Sequence, residues 1–99
     1  MLFEMIVGLF VVDHKKYAQY RAEIAPLREA VGGRFRYGFE VARTLKSEAG
    51  DDINRLFVIQ FPDRASKEPF FTDSQYVEIR ARLFEKAVKR TAIIAEYGS

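Results

Sequence analysis

Apolar residues recur along this chain in two rhythms, strand-like in four stretches and helix-like in two. The first strand is expected over Phe3 to Val12, "FEMIVGLFVV". A strand with one solvated face alternates apolar and polar. From Met5 onward both parities here are apolar apart from Gly8, so both faces are expected to be covered. Asp13 is a good N-cap, and Tyr17, Tyr20, Ile24, Leu27 and Val31 then recur at helical spacing. Pro26 is expected to kink or split that helix, and Gly32-Gly33 to end it. "RFRYGFEVARTL" alternates, with Phe35, Tyr37, Phe39 and Val41 on one face and Arg34, Arg36, Gly38, Glu40 and Ala42 on the other. After the polar turn "KSEAGDDIN" comes "RLFVIQFP", apolar on both faces except Gln60 and closed by Pro62. These two strands are expected to pair as an antiparallel hairpin. A second helical region spans Asp63 to about Val88 with a break near Pro69, and "KRTAIIAEYG" is the last strand.

The order β-α-β-β-α-β is that of ferredoxin-like folds. It predicts an α+β fold over residues 1–99 as one domain, a four-stranded antiparallel sheet with two helices on one face. The second face has no cover of its own, although the central strands are apolar on both sides. A homodimer joined through the sheet face resolves this.

Within the second helical region, "EPFFTDSQYVEIR" sets two phenylalanines beside small polar residues. Thr72-Asp73-Ser74-Gln75 fits a capping box, with Thr72 as N-cap, Gln75 at the third helical position, and Phe71 and Tyr76 as a hydrophobic staple. The cluster is first of all a helix start. What stays open is whether Phe70 and Tyr76 close a core or face a cavity.

Charge and composition narrow the chemistry. Sixteen Lys and Arg stand against fourteen Asp and Glu with no basic block, which is weak support for a polyanionic partner. The third strand lacks the glycine and the second stacking ring of RNA recognition motifs, so no nucleic acid is expected. No stretch is long and apolar enough for a membrane span, and "MIVGLFVV" lacks the flanks of a signal peptide. The absence of cysteine removes disulfides and thiolate metal sites and suits a cytoplasmic protein. His14, the only histidine, follows a helix cap beside two lysines and is expected at the surface. No metal and no cofactor is expected: neither a nucleotide-binding glycine motif nor a nucleophile elbow is present.

The candidate pocket residues are aromatic and cationic. Tyr17 and Tyr20 share the helix face toward the sheet, and Tyr76 lies on the second helix. Core packing with hydroxyls at the edge is their simpler role, and lining a pocket is the alternative. Phe70 and Phe71 would add apolar wall, and Arg36, Arg55 or Arg80 would meet an anionic group. Glu4, Arg36, Glu40, Arg55, Gln60 and Glu96 interrupt apolar strands, and where buried they must be paired. Such pairs fix a dimer register or orient a ligand.

Tyr17-x-x-Tyr20, "GGRF", "EAGDDINRLFVIQFP", "FFTDSQYVEIR" and the closing "EYG" occur here in an order and spacing that covers nearly the whole chain. In this the chain resembles the small bacterial family called domain of unknown function thirteen-thirty, of the dimeric α+β barrel superfamily. Gln60 stands where that family has a carboxylate before Phe-Pro, so an acid-base role there does not carry over. The resemblance implies a homodimeric barrel with a cavity between sheet and helices, and no established reaction. Superfamily relatives include cofactor-independent monooxygenases. The leading expectation is a protein that binds a small aromatic or amphipathic molecule. An enzyme of monooxygenase or isomerase type using the same cavity, or a purely structural dimer, are the alternatives.

Overall fold

In the computed structural model, which describes residues 2–48, 50 and 52–98, four strands alternate with helical segments. They run β1 (Phe3–Val11), α1 (His14–Ala30), β2 (Arg34–Glu40), β3 (Arg55–Phe61), α2 (Lys67–Thr72) and α3 (Ser74–Ile79). A π-helical turn (Arg80–Phe84), the short α4 (Glu85–Ala87) and β4 (Val88–Gly98) complete them. Within the expected polar turn "KSEAGDDIN", Ala49 and Asp51 lie outside the described residues. The strands form one antiparallel sheet in the order β2-β3-β1-β4. This is the expected ferredoxin-like α+β arrangement. Among the described residues no helix is long and apolar enough to cross a membrane.

The doubly apolar β1 takes the interior position between β3 and β4. Its odd residues Phe3, Met5, Val7, Leu9 and Val11 are buried in one core cluster with Tyr17, Tyr20 and Ile24 of α1 and Phe70 and Tyr76 of the second helical region. Its even residues, with Leu56, Val58 and Gln60 of β3 opposite them, form the other face. Among the described residues no helix lies over that face. The loop before β3 covers part of it: a Cβ at Gly8 would stand 2.9 Å from the Ile53 side chain, so glycine there lets the loop lie on the strand.

The expected alternation of β2 fails at one place. Register shifts between Phe35 and Tyr37, so Arg36 is an extra residue. A β-bulge of this kind turns two successive side chains to the same side and inverts the parity that follows. Phe35 therefore joins the helix-side core, while Tyr37 and Phe39 stand on the open face, stacked with ring centroids 6.2 Å apart and each about half exposed at 53%.

The helices begin and end for local reasons. The Asp13 side chain accepts from the Lys16 amide, capping α1 as expected. Pro26 does not split α1, which continues to Ala30. The α1 C-terminus is a Schellman motif: Gly33 N–H donates to the Arg28 carbonyl at 2.9 Å and Gly32 N–H to that of Glu29 at 3.0 Å. Gly32 holds the left-handed conformation, φ +76°. In the second region Pro69 sits in the first turn of α2, where its missing N–H costs little. The break comes at Asp73, and Asp73 rather than Thr72 caps α3, accepting from the Gln75 and Tyr76 amides. Thr72 instead donates its hydroxyl to the Glu68 carbonyl and closes α2. With the cap one residue later, Phe71 and Tyr76 are not at staple positions, yet their rings still meet edge-on at 5.5 Å.

Gly32→Ala tests the helix stop. A Cβ there would stand 2.8 Å from Pro62 Cγ and would hold an L-residue at positive φ. The expected loss is about 1–2 kcal/mol in urea unfolding, with the slope of the transition unchanged.

Candidate functional site

Between the odd-numbered face of the sheet and the helices lies a cavity of about 340 Å³. This falls within the range of roughly 300–1,000 Å³ usual for small-molecule sites. Its floor is Met5, Val7 and Leu9 of β1 with Phe57 and Ile59 of β3; Phe35, Thr91, Ile93 and Glu96 of the outer strands flank it. The helical wall is aromatic: Tyr17 and Tyr20 from α1, Phe70 and Phe71 from α2, Tyr76 from α3, and Phe84 from the π-helical turn. The rings pack on one another with offset or edge-on geometry, Phe70 to Tyr76 at 4.6 Å and Tyr20 to Phe84 at 4.9 Å between centroids. Phe70 is buried and Phe71 half-buried, and both belong at once to the core's packing and to the cavity wall.

Three phenols, Tyr17, Tyr20 and Tyr76, bring hydroxyls to the lining. The Tyr20 and Tyr76 hydroxyls lie 3.1 Å apart, hydrogen-bonded and buried. Burial pushes the Tyr20 phenol far above its ordinary value, and the neighbouring Tyr76 adds to the effect. Burial likewise raises Tyr17, against the opposing charges of Arg21 and Arg55. Tyr17 and Tyr20 are thus neutral at physiological pH. They offer hydrogen bonds and no phenolate base.

The rim carries the charges. Lys67 of α2 reaches Glu96 of β4 at 3.3 Å, tying helix to strand along the cavity. Glu68 is exposed, and Arg80 is half-buried with its guanidinium carbon 4.5 Å over the Phe84 ring. Of the residues predicted for a pocket, Tyr17, Tyr20, Phe70, Phe71, Tyr76 and Arg80 therefore converge on one cavity.

Arg55 and Arg36 do not line it. Arg55 lies over the Tyr17 ring at 5.0 Å and lines a separate, shallow depression with Arg21 and Glu40. Arg36 is carried by the bulge to the open face. There its Nη1 donates to Glu4 Oε2 at 2.6 Å, Gln60 Nε2 donates to the same oxygen at 2.8 Å, and the Tyr97 hydroxyl donates to Oε1 at 2.6 Å. Arg34 Nε in turn donates to Gln60 Oε1 at 3.1 Å. The network crosses all four strands, with Glu4 at its centre. The hydrogen bonds from Tyr97 and Arg36, against the effect of burial, lower the Glu4 carboxyl from 4.5 to about 2.

Sequence reasoning named the helical side of the cavity and missed the strand side. Met5, Val7 and Ile59 carry only an apolar signal, which a filled core and a cavity wall share. Lys67 and Glu96 are far apart in sequence, and nothing local pairs them. The Tyr20–Tyr76 contact joins residues 56 positions apart.

The family model described as "Domain of unknown function (DUF1330)" matches residues 5–97. No curated protein matches the sequence. Among solved structures, a protein of unknown function from Rhodopseudomonas palustris is similar with a TM-score of 0.80 and 17% identity, over 99% of this chain and 82% of that one. A dimeric ferredoxin-like protein of unknown function from Thermobifida fusca gives 0.61 and 11%, over 100% and 92%. The hydroxynitrile lyase from Passiflora edulis gives 0.62 and 16%, over 99% and 93%. At these identities the likeness is one of fold.

Two stability measurements test the two polar groupings. Tyr20→Phe leaves the Tyr76 hydroxyl unpartnered in an apolar wall and is expected to cost about 1 kcal/mol, with Tyr76→Phe added in the same chain recovering part of it. For Glu4, the folded carboxyl is lower than the unfolded one, so the unfolded chain binds more protons between about pH 4.5 and 2. The contribution of Glu4 is complete above that window and lost as pH falls through it. The stability gap between the native protein and Glu4→Gln should shrink across it, and a gap constant down to pH 2 contradicts the assignment.

Proposed function

The chain belongs to the DUF1330 family, and on that premise we propose that it works as a homodimer holding a small aromatic or amphipathic molecule in the cavity between sheet and helices. The observation that carries the binding role is the cavity itself. Rings line it, and two of its buried hydroxyls, those of Tyr20 and Tyr76, are paired with each other instead of with a structural partner elsewhere. A wall of this kind accepts an apolar ring by stacking and orients it with a few hydrogen bonds.

Dimerisation rests on the open face. Tyr37, Phe39 and Tyr97 stand about half exposed around the Glu4 network. Aromatic side chains surrounding a satisfied polar centre form the usual anatomy of a protein interface. A second copy of the same face fits it, because a two-fold contact needs only self-complementarity. The description of the Thermobifida fusca neighbour as dimeric supports the same assembly.

Binding is favoured over catalysis by the state of the cavity's groups. A general base needs a group that takes up a proton near neutral pH. Tyr17 and Tyr20 are held neutral, His14 is exposed outside the lining, and Glu68 and Glu96 stand at the exposed rim.

Native mass spectrometry of the purified protein reads both parts of the proposal. A dimer carrying additional small-molecule mass is expected. A protein that stays monomeric at micromolar concentration refutes the dimer. Phe39→Asp, which puts a charge on the open face away from the cavity, is expected to shift the species to monomer in analytical ultracentrifugation without loss of fold.

A further inference from the structure

Taking the cavity as the binding site, we propose that its ligand is a small organic monoanion, a carboxylate on an aromatic or branched apolar body. Arg80 holds the charged group and the aromatic wall holds the body. This inference rests on the binding role proposed above and goes beyond it by fixing the ligand's charge.

Three arginines were candidates for an anion site, and two are already engaged elsewhere. Arg36 is spent on Glu4 on the far face of the sheet, and Arg55 lies over Tyr17 at a different depression. Arg80 remains. Among the described residues its side chain makes no hydrogen bond and no ion pair; its guanidinium lies over the ring of Phe84 and its charge acts on the Tyr20 phenol. A guanidinium set over a ring keeps its N–H edge free, and that edge matches a carboxylate two bonds at a time. The other cation of the lining, Lys67, is committed to Glu96.

The groups around Arg80 suit the same ligand. The Phe84 ring beneath it lies 4.9 Å from the Tyr20 ring, whose hydroxyl meets that of Tyr76. Two hydroxyls carry two protons, and one is used between them. The second is free to donate to an anionic oxygen. Arg80 and Phe84 also bound the π-helical turn, a wide turn often found at functional sites.

Other charge types fit less well. A cationic ligand needs a buried carboxylate, and the buried acidic residue of the described chain, Glu4, faces the opposite side of the sheet. A neutral ligand that covered Arg80 would take a guanidinium out of water with no partner, at a cost of several kcal/mol or a weaker complex. A dianion needs a second free cation, which the lining does not provide.

Isothermal titration of the full chain with three probes of one shape tests this: naphthoate, naphthalenemethanol and naphthylmethylammonium. Naphthoate is expected to bind about tenfold or more tightly than the alcohol, the usual gain of a charge-assisted hydrogen bond, and the ammonium most weakly. Arg80→Gln should bring naphthoate down to the alcohol's affinity without weakening the alcohol, and Arg80→Lys should keep part of the preference. The comparison of probes on the native chain needs no variant, so it stands even where a substitution perturbs the fold. Equal affinity for acid and alcohol, or naphthoate binding unaffected by Arg80→Gln, overturns the charge assignment and leaves the cavity as a binding site. Binding of none of the three overturns both.

Discussion

A strand that is apolar on both faces needs two covers, and β1 is such a strand at an interior position of the sheet. The helices provide one cover. They do so with large rings: Phe70, Tyr76, Tyr20 and Phe84 reach the sheet side from α2, α3, α1 and the π-helical turn. Phe70 and Phe71 close on Phe61 of β3, and beside that contact a cavity stays between the rings and the strand floor. The second cover is supplied in part by Ile53 over Gly8, and the remainder of that face keeps aromatic surface in water. Both the cavity and the proposed dimer surface follow from this one requirement.

The two faces solve the problem of polar groups in opposite ways. On the open face Glu4 is nearly out of water but remains ionised, since three donors from three different strands converge on its two oxygens. A carboxylate so satisfied is not available to a ligand. It also couples β1 to every other strand, directly or through Gln60. On the helix face Tyr20 meets no such donors. Its hydroxyl finds another hydroxyl, and burial keeps it protonated. One face thus holds a fixed charge that is internally neutralised, and the other a pair of hydroxyls with a donor to spare. This division places Arg36 with the architecture and Arg80 with the cavity, although the two look alike in sequence.

The element order, the antiparallel sheet and the helix-side aromatic residues were legible from spacing alone. Periods of two and of three to four residues survive folding, and the Asp13 cap and the glycine stop are local chemistry. The faults in the sequence reading have local causes as well. Capping depends on the backbone angles of a single residue. Asp73 takes the extended conformation that Thr72 was expected to hold, so the cap moves by one position. Pro26 does not interrupt α1, because packing of a long amphipathic face outweighs one lost hydrogen bond. The cavity was not legible, because an apolar residue lining a void and one filling a core carry the same pattern. Nor was the Tyr20–Tyr76 pair, which exists only once α1 and α3 pack together.

The bulge at Arg36 is where the open face acquires its character. Without the extra residue, strict alternation puts Phe35, Tyr37 and Phe39 together on one side of β2. Turned toward the helices, Tyr37 and Phe39 would bring two more rings to the cavity side and leave the open face polar. The bulge sends them outward and brings Gly38 to the helix side, where a Cβ would have no atom within 4 Å. One inserted residue therefore keeps two rings off the helix side, where Gly38 borders the shallow depression beside Arg55 and not the main cavity, and gives the other face its aromatic patch. The same residue delivers the guanidinium that keeps Glu4 ionised at the centre of that patch. An aromatic surface built around a neutralised charge is suited to burial against its own copy, and the space on the opposite side is suited to a ligand. The aromatic patch and the charge pair at its centre thus share a single structural cause.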